Sequence, residues 1–322
     1  MAKRSSAVVS PNLGLYYDRP AIALESRMLK DGMNFRVKEG RLTNLNMGWT
    51  YFSDVQLNGP VTLIDQFFIR GQEERLIFGT PSDLYVYNGS NDTVSFITPI
   101  YNTGKASAVA KVVTGSDGAD WTDILPGQQI SFGDDDVTDP DATWYTIDVV
   151  NSSTGLTLTE DVGVISSGTY TIRRTFTASF LDTWDTDIFV NAAQDNKDWW
   201  IATNGIDNII KWDGETDHVE DAGLPFKAFT LSRYSNMMVY GNLTQGGARL
   251  PTDIINSNVG DPFDVVSGLS EQFKVHGGTD GIVNMAPLGD NLAIYSLGTV
   301  TIAQFVGDPL IFTFRQAVNG IG

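Results

Sequence analysis

One local pattern recurs along the sequence: two short strands joined by a tight turn. Residues 76–80 form an almost wholly apolar run, and a turn at residues 81–83 leads into a second run at residues 84–89. Two further copies and the first strand of a fourth occupy residues 199–214, 292–303 and 237–241. Runs rich in Val, Ile and aromatic residues between Gly, Asn, Asp and Pro turns are typical of β-hairpins. A unit repeated in this way confines the chain to a repeat architecture built from strands.

The two strands of each copy differ in composition. The first strand is apolar at nearly every position, as expected for a strand that is covered on both faces. The second strand alternates more and ends in an aromatic residue, an Asn or Asp and a Gly, as in Trp212-Asp213-Gly214. An apolar inner strand followed by a half-exposed outer strand is typical of a propeller blade. We therefore predict an all-β fold with a β-propeller-like body, in which the apolar strand is the inner strand of each blade.

The spacing of the copies is uneven. The first and second copies begin 123 residues apart, at Leu76 and Trp199, and residues 105–174 between them differ in character. This segment has eleven acidic and four basic residues, with short strands between acidic loops. Removing its 70 residues leaves a spacing of 53, close to the roughly 40–50 residues of propeller repeats. We therefore predict a small inserted β-barrel or sandwich domain at residues 105–175.

The domain organisation follows from this spacing. We predict a docking leader at residues 1–48, a body at residues 49–104 and 176–322, and the insert between the two parts of the body. The body has room for about four blades, the lower end of the range that closed propellers use. Because the sequence stops in a turn, three interpretations stay open: a partner completes the ring, the chain is part of a longer protein, or the blade number differs. A short helix is expected only at residues 21–29.

Charge is distributed unevenly along the chain. Residues 1–41 hold eight basic and four acidic groups, so the other 281 residues carry a formal charge of −22 within a total of −18. A body this acidic repels phosphate backbones and is not expected to grip DNA, although it could line a passage through which DNA slides. Simple solubility is the alternative explanation for the charge.

Several kinds of chemistry are excluded or disfavoured by the residues present. The chain has no cysteine, which excludes disulfides, thiolate metal sites and cysteine nucleophiles. No apolar run reaches the roughly 18 residues of a membrane span, and no hydrophobic signal core follows the start. Nucleotide-binding glycine motifs are also missing from the sequence. We predict no cofactor.

Catalytic residues are scarce. His218 and His276 are the only histidines, and no Gly-x-Ser-x-Gly elbow offers a serine nucleophile. We therefore expect surface or packing roles for both histidines and no enzymatic activity. Most of the 39 acidic residues occur in turns, where Asp closes local hydrogen bonds, so turn chemistry is favoured over a glycosidase carboxylate pair.

Metal and sugar binding are weaker alternatives. Residues 134–141 and 116–123 are rich in Asp, and such oxygen ligands suit Ca²⁺, but neither run has EF-hand spacing. We expect solvated acidic loops, with a calcium site as the alternative. The three tryptophans of the second copy, Trp199, Trp200 and Trp212, could stack on a sugar, but burial in a core is the favoured interpretation.

Several segments show a resemblance to a known family. They include Asn46-Met47-Gly48-Trp49 and residues 12–15, 31–41, 208–214, 259–264 and 285–295. These segments resemble the leader and blades of β-propeller-type virion structural proteins of tailed bacteriophages, similar to podovirus tail hub and nozzle proteins. The resemblance covers roughly 250 residues, namely the leader and the blades, and leaves out the insert. Proteins of that family usually continue past residues 320–322, where this sequence stops.

The resemblance implies a structural role in a virion tail, for a protein that is made in the host cytoplasm. Such proteins form a ring, commonly six-fold, below the portal and adaptor, retain the packaged genome and guide its ejection. Candidate subunit contacts are the basic residues of the leader, namely Arg19, Arg27, Lys30, Arg36, Lys38 and Arg41. The alternatives are a receptor-binding, tail-fibre-type protein that recognises a host glycan through the insert, and a glycan-cleaving enzyme.

Overall fold

The computed structural model describes residues 57–69, 74–89, 93–133, 142–275 and 281–320, together with two strands of the leader. Every regular element among these residues is a β-strand, so the predicted all-β fold is confirmed. The chain divides into two compact units, Met1–Asp54 and Val55–Gly322. The helix predicted at residues 21–29 lies outside the described residues.

The described part of the first unit is a single antiparallel hairpin. It consists of β1 (Phe35–Lys38) and β2 (Arg41–Asn44). Phe35 lies opposite Asn44, and Lys38 lies opposite Arg41.

The second unit begins with a four-stranded antiparallel sheet, called blade 1, whose strands lie in chain order. Its strands are β3 (Leu63–Phe68), β4 (Glu74–Gly79), β5 (Leu84–Asn88) and β6 (Thr93–Phe96). The first predicted hairpin is therefore the β4–β5 pair, in the middle of this sheet.

The insert follows as one eight-stranded sheet in the order β13-β8-β9-β12-β11-β10-β14-β7. Its strands are β7 (Ile100–Tyr101), β8 (Lys105–Val109), β9 (Val112–Ser116), β10 (Gln129–Phe132), β11 (Tyr145–Ser152), β12 (Gly155–Leu158), β13 (Val164–Gly168) and β14 (Tyr170–Arg173). Residues from β8 near one edge and β14 near the other share one buried core, so the sheet folds over onto itself. Its edge strands β13 and β7 do not pair, so the described strands form an open sheet and no closed barrel.

Three more four-stranded antiparallel sheets, blades 2 to 4, complete the second unit. Blade 2 consists of β15 (Asp185–Phe189), β16 (Trp199–Thr203), β17 (Ile210–Trp212) and β18 (Glu220–Asp221). Blade 3 consists of β19 (Phe226–Tyr234), β20 (Met237–Gln245), β21 (Ala248–Asn256) and β22 (Glu271–Lys274). Blade 4 consists of β23 (Ile282–Leu288), β24 (Asn291–Ser296), β25 (Thr299–Gly307) and β26 (Ile311–Asn319).

Successive blades pack face to face, and each pair shares a buried apolar core. Phe67 of blade 1 packs with Trp200 and Trp212 of blade 2. Further cores of this kind join blade 2 to blade 3 and blade 3 to blade 4. The side chains of a blade thus alternate between the cores on its two faces, which is the period-2 geometry of a strand.

The position of the apolar strand within the blade differs from the prediction. The predicted inner strands are β4, β16, β20 and β24, and each is the second strand of its sheet. The first strands β15, β19 and β23 lie next to one another between successive blades. A second strand is flanked by strands within the sheet and, in the middle blades, by a neighbouring blade on each face. This explains why every residue of β16 is buried.

Candidate functional site

Inter-blade contacts combine an apolar core with a polar group from the first strand of a blade. At the junction of blades 1 and 2, Asp65 on β3 accepts two hydrogen bonds from blade 2 through the same oxygen, Oδ2. The Thr186 hydroxyl donates at 2.6 Å and the Trp200 indole Nε1 at 2.8 Å. The carboxylate therefore fixes the alignment of blade 2 on blade 1.

Two more carboxylates serve the junction of blades 2 and 3. Asp185 Oδ2 accepts from the Thr230 hydroxyl at 2.5 Å and from the Leu231 N–H at 3.0 Å. Asp187 Oδ2 accepts from the Arg233 N–H at 2.7 Å. Burial raises the pKa of both carboxyls, and these hydrogen bonds offset that effect only in part.

Neutral groups replace the carboxylates at the junction of blades 3 and 4. The Tyr234 hydroxyl donates to the Asp290 carbonyl at 2.6 Å and accepts from the Phe305 N–H at 3.1 Å. The Asn242 amide donates to the Ile282 carbonyl at 2.8 Å. None of these junction residues was predicted from the sequence, because their partners come from another blade. A lone Asp within an apolar strand, as at Asp65, is the signal that could have identified one of them.

The Asp-Gly turn that ends the second predicted hairpin makes both local and inter-blade contacts. Asp213 Oδ1 accepts hydrogen bonds from the backbone N–H groups of Glu215 and Thr216, and Lys197 Nζ donates to Oδ2 at 2.5 Å. Gly214 has a φ of +78°, and an added Cβ would lie 2.1 Å from Ile69 Cδ1 of blade 1. This turn therefore requires glycine for its backbone conformation and for the close approach of the neighbouring blade.

The outward face of blade 1, here called the blade-1 flank, carries exposed apolar side chains. Ile64 and Phe68 on β3 are 67 % and 56 % exposed. They alternate with Leu63 and Phe67, which are buried against blade 2. Phe78 lies opposite Ile64 on the neighbouring strand and continues the same face. The flank is thus exposed along β3, whereas Tyr85 and Phe96, which continue the same row on β5 and β6, are buried.

Blade 4 has a corresponding outward face, the blade-4 flank. Leu288, Tyr295, Val306 and Val318 are between 38 % and 58 % exposed. Tyr295 and Val318 both lie opposite Val300, so they form one row across three strands. The opposite face of this blade is buried against blade 3 through residues such as Ile294. Both end blades therefore leave apolar side chains of one face exposed, on β3 in blade 1 and in the row through Tyr295 and Val318 in blade 4. The second strands of blades 2 and 3 are instead buried on both faces.

A half-buried arginine joins the insert to blade 1. The Arg173 guanidinium lies 3.8 Å from the Trp144 ring centre and 5.0 Å from that of Phe96 on β6. Asp83 is fully buried nearby, and burial raises the pKa of its carboxyl, although Ser82 and Asn58 donate hydrogen bonds to it. This contact is structural, because the Arg173 guanidinium lies against the rings of Trp144 in the insert and Phe96 in blade 1.

A cavity of about 590 Å³ separates the insert from blade 2. Its wall is mainly acidic, with Asp123, Asp217 and Glu220 among the lining residues. His218 also lines it, and burial lowers the pKa of its imidazole, which keeps the ring neutral at pH 7. The ring makes a hydrogen bond with the Thr98 backbone, which fits the predicted packing role. His276 lies outside the described residues.

The structure accounts for several predicted acidic and aromatic sites. Asp117 pairs with Lys105 at 2.9 Å, and Asp120 accepts hydrogen bonds from Thr122 within its own turn. Within the described ranges, no three His, Asp or Glu side chains converge as metal ligands, and residues 134–141 lie outside those ranges. The core burial predicted for three tryptophans is confirmed for Trp199, Trp200 and Trp212.

The predicted subunit contacts fall in the first unit. Arg36 and Lys38 lie on β1, two residues apart, and Arg41 begins β2. Arg19, Arg27 and Lys30 lie outside the described residues. Their role in subunit contacts stays a prediction.

Comparisons with known proteins give little similarity. No protein-family model matches the chain, and no curated protein is significantly similar to it. One solved structure that it matches is described as "Phage phi92 endosialidase", with 10 % sequence identity and a TM-score of 0.27. The match covers 80 % of this chain and 48 % of that chain, so this chain spans about half of the length of that protein. Among the described residues, no helix is long and apolar enough to span a membrane.

Proposed function

We propose that this chain is a structural protein of a bacteriophage tail whose copies associate through the blade-1 and blade-4 flanks. The observation that supports this proposal is a contrast between blades. The second strands of the middle blades are buried on both faces, whereas each end blade exposes apolar side chains of its outward face, namely Ile64 and Phe68 in blade 1 and Leu288, Tyr295 and Val318 in blade 4. Contiguous exposed apolar side chains mark association surfaces in folded proteins. The likeness in sequence to the podovirus hub and nozzle family supports the choice of a phage tail.

Packing the blade-4 flank of one copy on the blade-1 flank of the next would extend the face-to-face stacking found within the chain. Such a contact joins two different surfaces. It generates a ring when the rotation between successive copies brings the last copy into contact with the first. We propose a ring, with six copies as in the similar family, located in the virion tail below the portal and adaptor. The function is genome retention and ejection, without catalysis and without a cofactor.

Charge supports the proposed position of the ring around the DNA path. Outside residues 1–41 the chain carries a formal charge of −22, which repels the phosphate backbone and lets DNA pass without tight binding. The basic leader, which includes Arg36, Lys38 and Arg41, would dock on an acidic neighbouring tail protein.

Self-association of the purified chain tests the flanks. We expect sedimentation velocity to show concentration-dependent oligomers, and we expect Leu288→Asp combined with Tyr295→Asp to leave monomers, because two charges would be buried in an apolar contact. Val266→Asp is the matched control, since Val266 is 87 % exposed on a loop of blade 3, away from both flanks. A wild-type chain that stays monomeric at all concentrations, or a double variant that assembles as the wild type does, would contradict the proposal.

Incorporation into particles tests the tail assignment. In a complementation assay, removal of residues 1–41 should abolish the presence of the protein in phage particles, and electron microscopy of intact particles should locate the full-length protein in the tail. Normal incorporation of the truncated chain would contradict the docking role of the leader.

Receptor binding through the insert is a second candidate function. The observation in its favour is the separate core of the insert, which is built around the Trp121–Tyr170 pair. Binding of the full chain to a host glycan array, lost when exposed residues of the insert are changed, would favour this function over a purely structural role.

A further inference from the structure

A second cavity, of about 680 Å³, lies where blades 2 and 3 meet and away from both flanks. The turn between β16 and β17, the start of β19 and the hairpin turn between β20 and β21 form its wall. This volume lies within the roughly 300–1,000 Å³ of small-molecule sites. The cavity is therefore large enough for a ligand of the size of a monosaccharide or disaccharide.

The wall of this cavity is basic, in contrast to the chain as a whole. Lys227 and Arg249 line it, and among its described lining residues Asp182 is the one carboxylate. Arg249 is exposed and forms no ion pair with any described residue. Asp182 accepts hydrogen bonds from Ser179, at 2.9 Å from its backbone N–H and at 2.7 Å from its hydroxyl, and these lower the pKa of the carboxyl, which stays charged. The two cations therefore exceed the negative charge of the wall by one. The excess of cations favours an anionic group in the cavity.

An aromatic ring in the wall is held in a fixed position. Phe229 is half-buried on β19, and its ring lies against the backbone of Gly205. Gly205 has a φ of +77°, and an added Cβ would lie 2.9 Å from Phe229 Cδ2. The glycine therefore lets the ring pack on the turn between β16 and β17. Aromatic and apolar surface of this kind, with a few polar groups beside it, is what ligand sites commonly present.

Open space at the rim completes the cavity. Asn242 also lines it, but its side chain serves the junction of blades 3 and 4, where its Nδ2 donates to the Ile282 carbonyl. Gly246 and Gly247 form the hairpin turn at the rim, and a Cβ added to either would meet nothing within 4 Å. The rim therefore stays open.

We propose that this cavity binds a sugar that carries a carboxylate, as a site separate from the flanks used in assembly. Arg249 contacts the carboxylate together with Lys227, whose Nζ also donates to the Ile206 carbonyl at 2.5 Å. The Phe229 ring packs on the C–H face of the sugar. A single carboxylate suits two cations within an acidic protein. A long polyanion such as DNA is disfavoured, because the net charge of the body repels it over a longer range.

Saturation-transfer NMR with the full chain tests this site, using glucuronate as the probe and glucose as the neutral control that lacks only the carboxylate. We expect glucuronate to bind, glucose to bind far more weakly, and binding to weaken as salt is raised. Arg249→Gln should weaken glucuronate binding at least about tenfold, the factor expected for loss of a hydrogen bond between charged groups. Lys274→Gln, which removes an exposed charge elsewhere on blade 3, should leave it unchanged.

The comparison of the two sugars and of three variants, Arg249→Gln, Lys274→Gln and Phe229→Leu, tests the proposal. Equal binding of glucose and glucuronate, no glucuronate binding at millimolar concentration, or unchanged binding by the Arg249 variant would each overturn the proposal. A Phe229→Leu variant with full affinity would refute the role of the ring. The binding measurement needs no other tail protein, so an absence of glucuronate binding would not contradict the assembly proposal. Likewise, a chain that stays monomeric would not contradict the proposed sugar site.

Discussion

The Asp213 turn of blade 2 gives the sharpest quantitative prediction. Burial alone would raise the pKa of this carboxyl, but hydrogen bonds from Lys197, Thr216 and Glu215 outweigh burial and lower it from 3.8 to about 2. A difference of that size corresponds to about 2.5 kcal/mol of stability at neutral pH. The Lys197 side chain is 44 % exposed, so solvent screens the pair, and we expect about 1 kcal/mol from the charge.

The Asp213→Asn substitution removes the charge and keeps the shape of the side chain. The amide oxygen can still accept from the turn N–H groups, so the loss should come mainly from the pair with Lys197. We expect the free energy of unfolding to fall by about 1 kcal/mol at pH 7, or about 2 °C in melting temperature. Urea unfolding, monitored by tryptophan fluorescence, measures this free energy of unfolding.

The pH dependence has a definite sign. Because the pKa of Asp213 is lower in the folded than in the unfolded chain, its stabilising effect is complete above pH 4 and is lost as the pH falls towards 2. The difference between the wild type and Asp213→Asn should therefore be much smaller at pH 2 than at pH 7 and should vanish only below pH 2. Asp217→Asn, in the same loop and with no hydrogen bond from a described residue, is the control and should change little.

A double-mutant cycle with Lys197→Met isolates the ion pair. We expect a coupling of about 1 kcal/mol between Lys197 and Asp213 at pH 7 and a much smaller coupling at pH 2. A loss of stability in Asp213→Asn that is equal at pH 7 and pH 2, or zero coupling in the cycle, would refute the electrostatic explanation. Either result would assign the effect to packing of the turn.

Three further substitutions test the packing of the chain by chemical and thermal unfolding. Gly214→Ala should cost more than about 2 kcal/mol, since its φ is +78° and its Cβ would meet Ile69; Gly223→Ala, with a φ of +72° and open space, should cost less. Tyr170→Phe should lower the stability of the insert by about 1–3 kcal/mol, because the Trp121 Nε1, 2.9 Å from the lost hydroxyl, would remain buried without an acceptor. At pH 7 the Asp83→Asn variant should be as stable as the wild type or more stable. As the pH falls, the stability of the wild type should rise relative to that of the variant, because burial raises the folded-state pKa of Asp83. A variant that becomes more stable relative to the wild type as the pH falls would contradict this expectation.

The strand class, the hairpins and the burial of the tryptophans could be read from local sequence. Period-2 alternation, β-branched and aromatic runs, and Gly or Asp turns act over a few residues, so they identify the β4–β5, β16–β17 and β24–β25 hairpins before any tertiary contact is known. Turn chemistry of Asp is equally local, as at Asp213 and Asp264, which accept hydrogen bonds from N–H groups two or three residues ahead.

Tertiary packing decided which strand of a blade is the apolar one and which polar groups join the blades. Full burial of β16 comes from neighbours on both faces, and an apolar run does not indicate whether it is the first or the second strand of a sheet. Asp65 contacts Trp200, which is 135 residues away, and Gly214 meets Ile69 of another blade, so no local pattern contains either partner. The exposed flanks and the basic cavity are likewise surfaces that form only when strands distant in the chain are brought side by side.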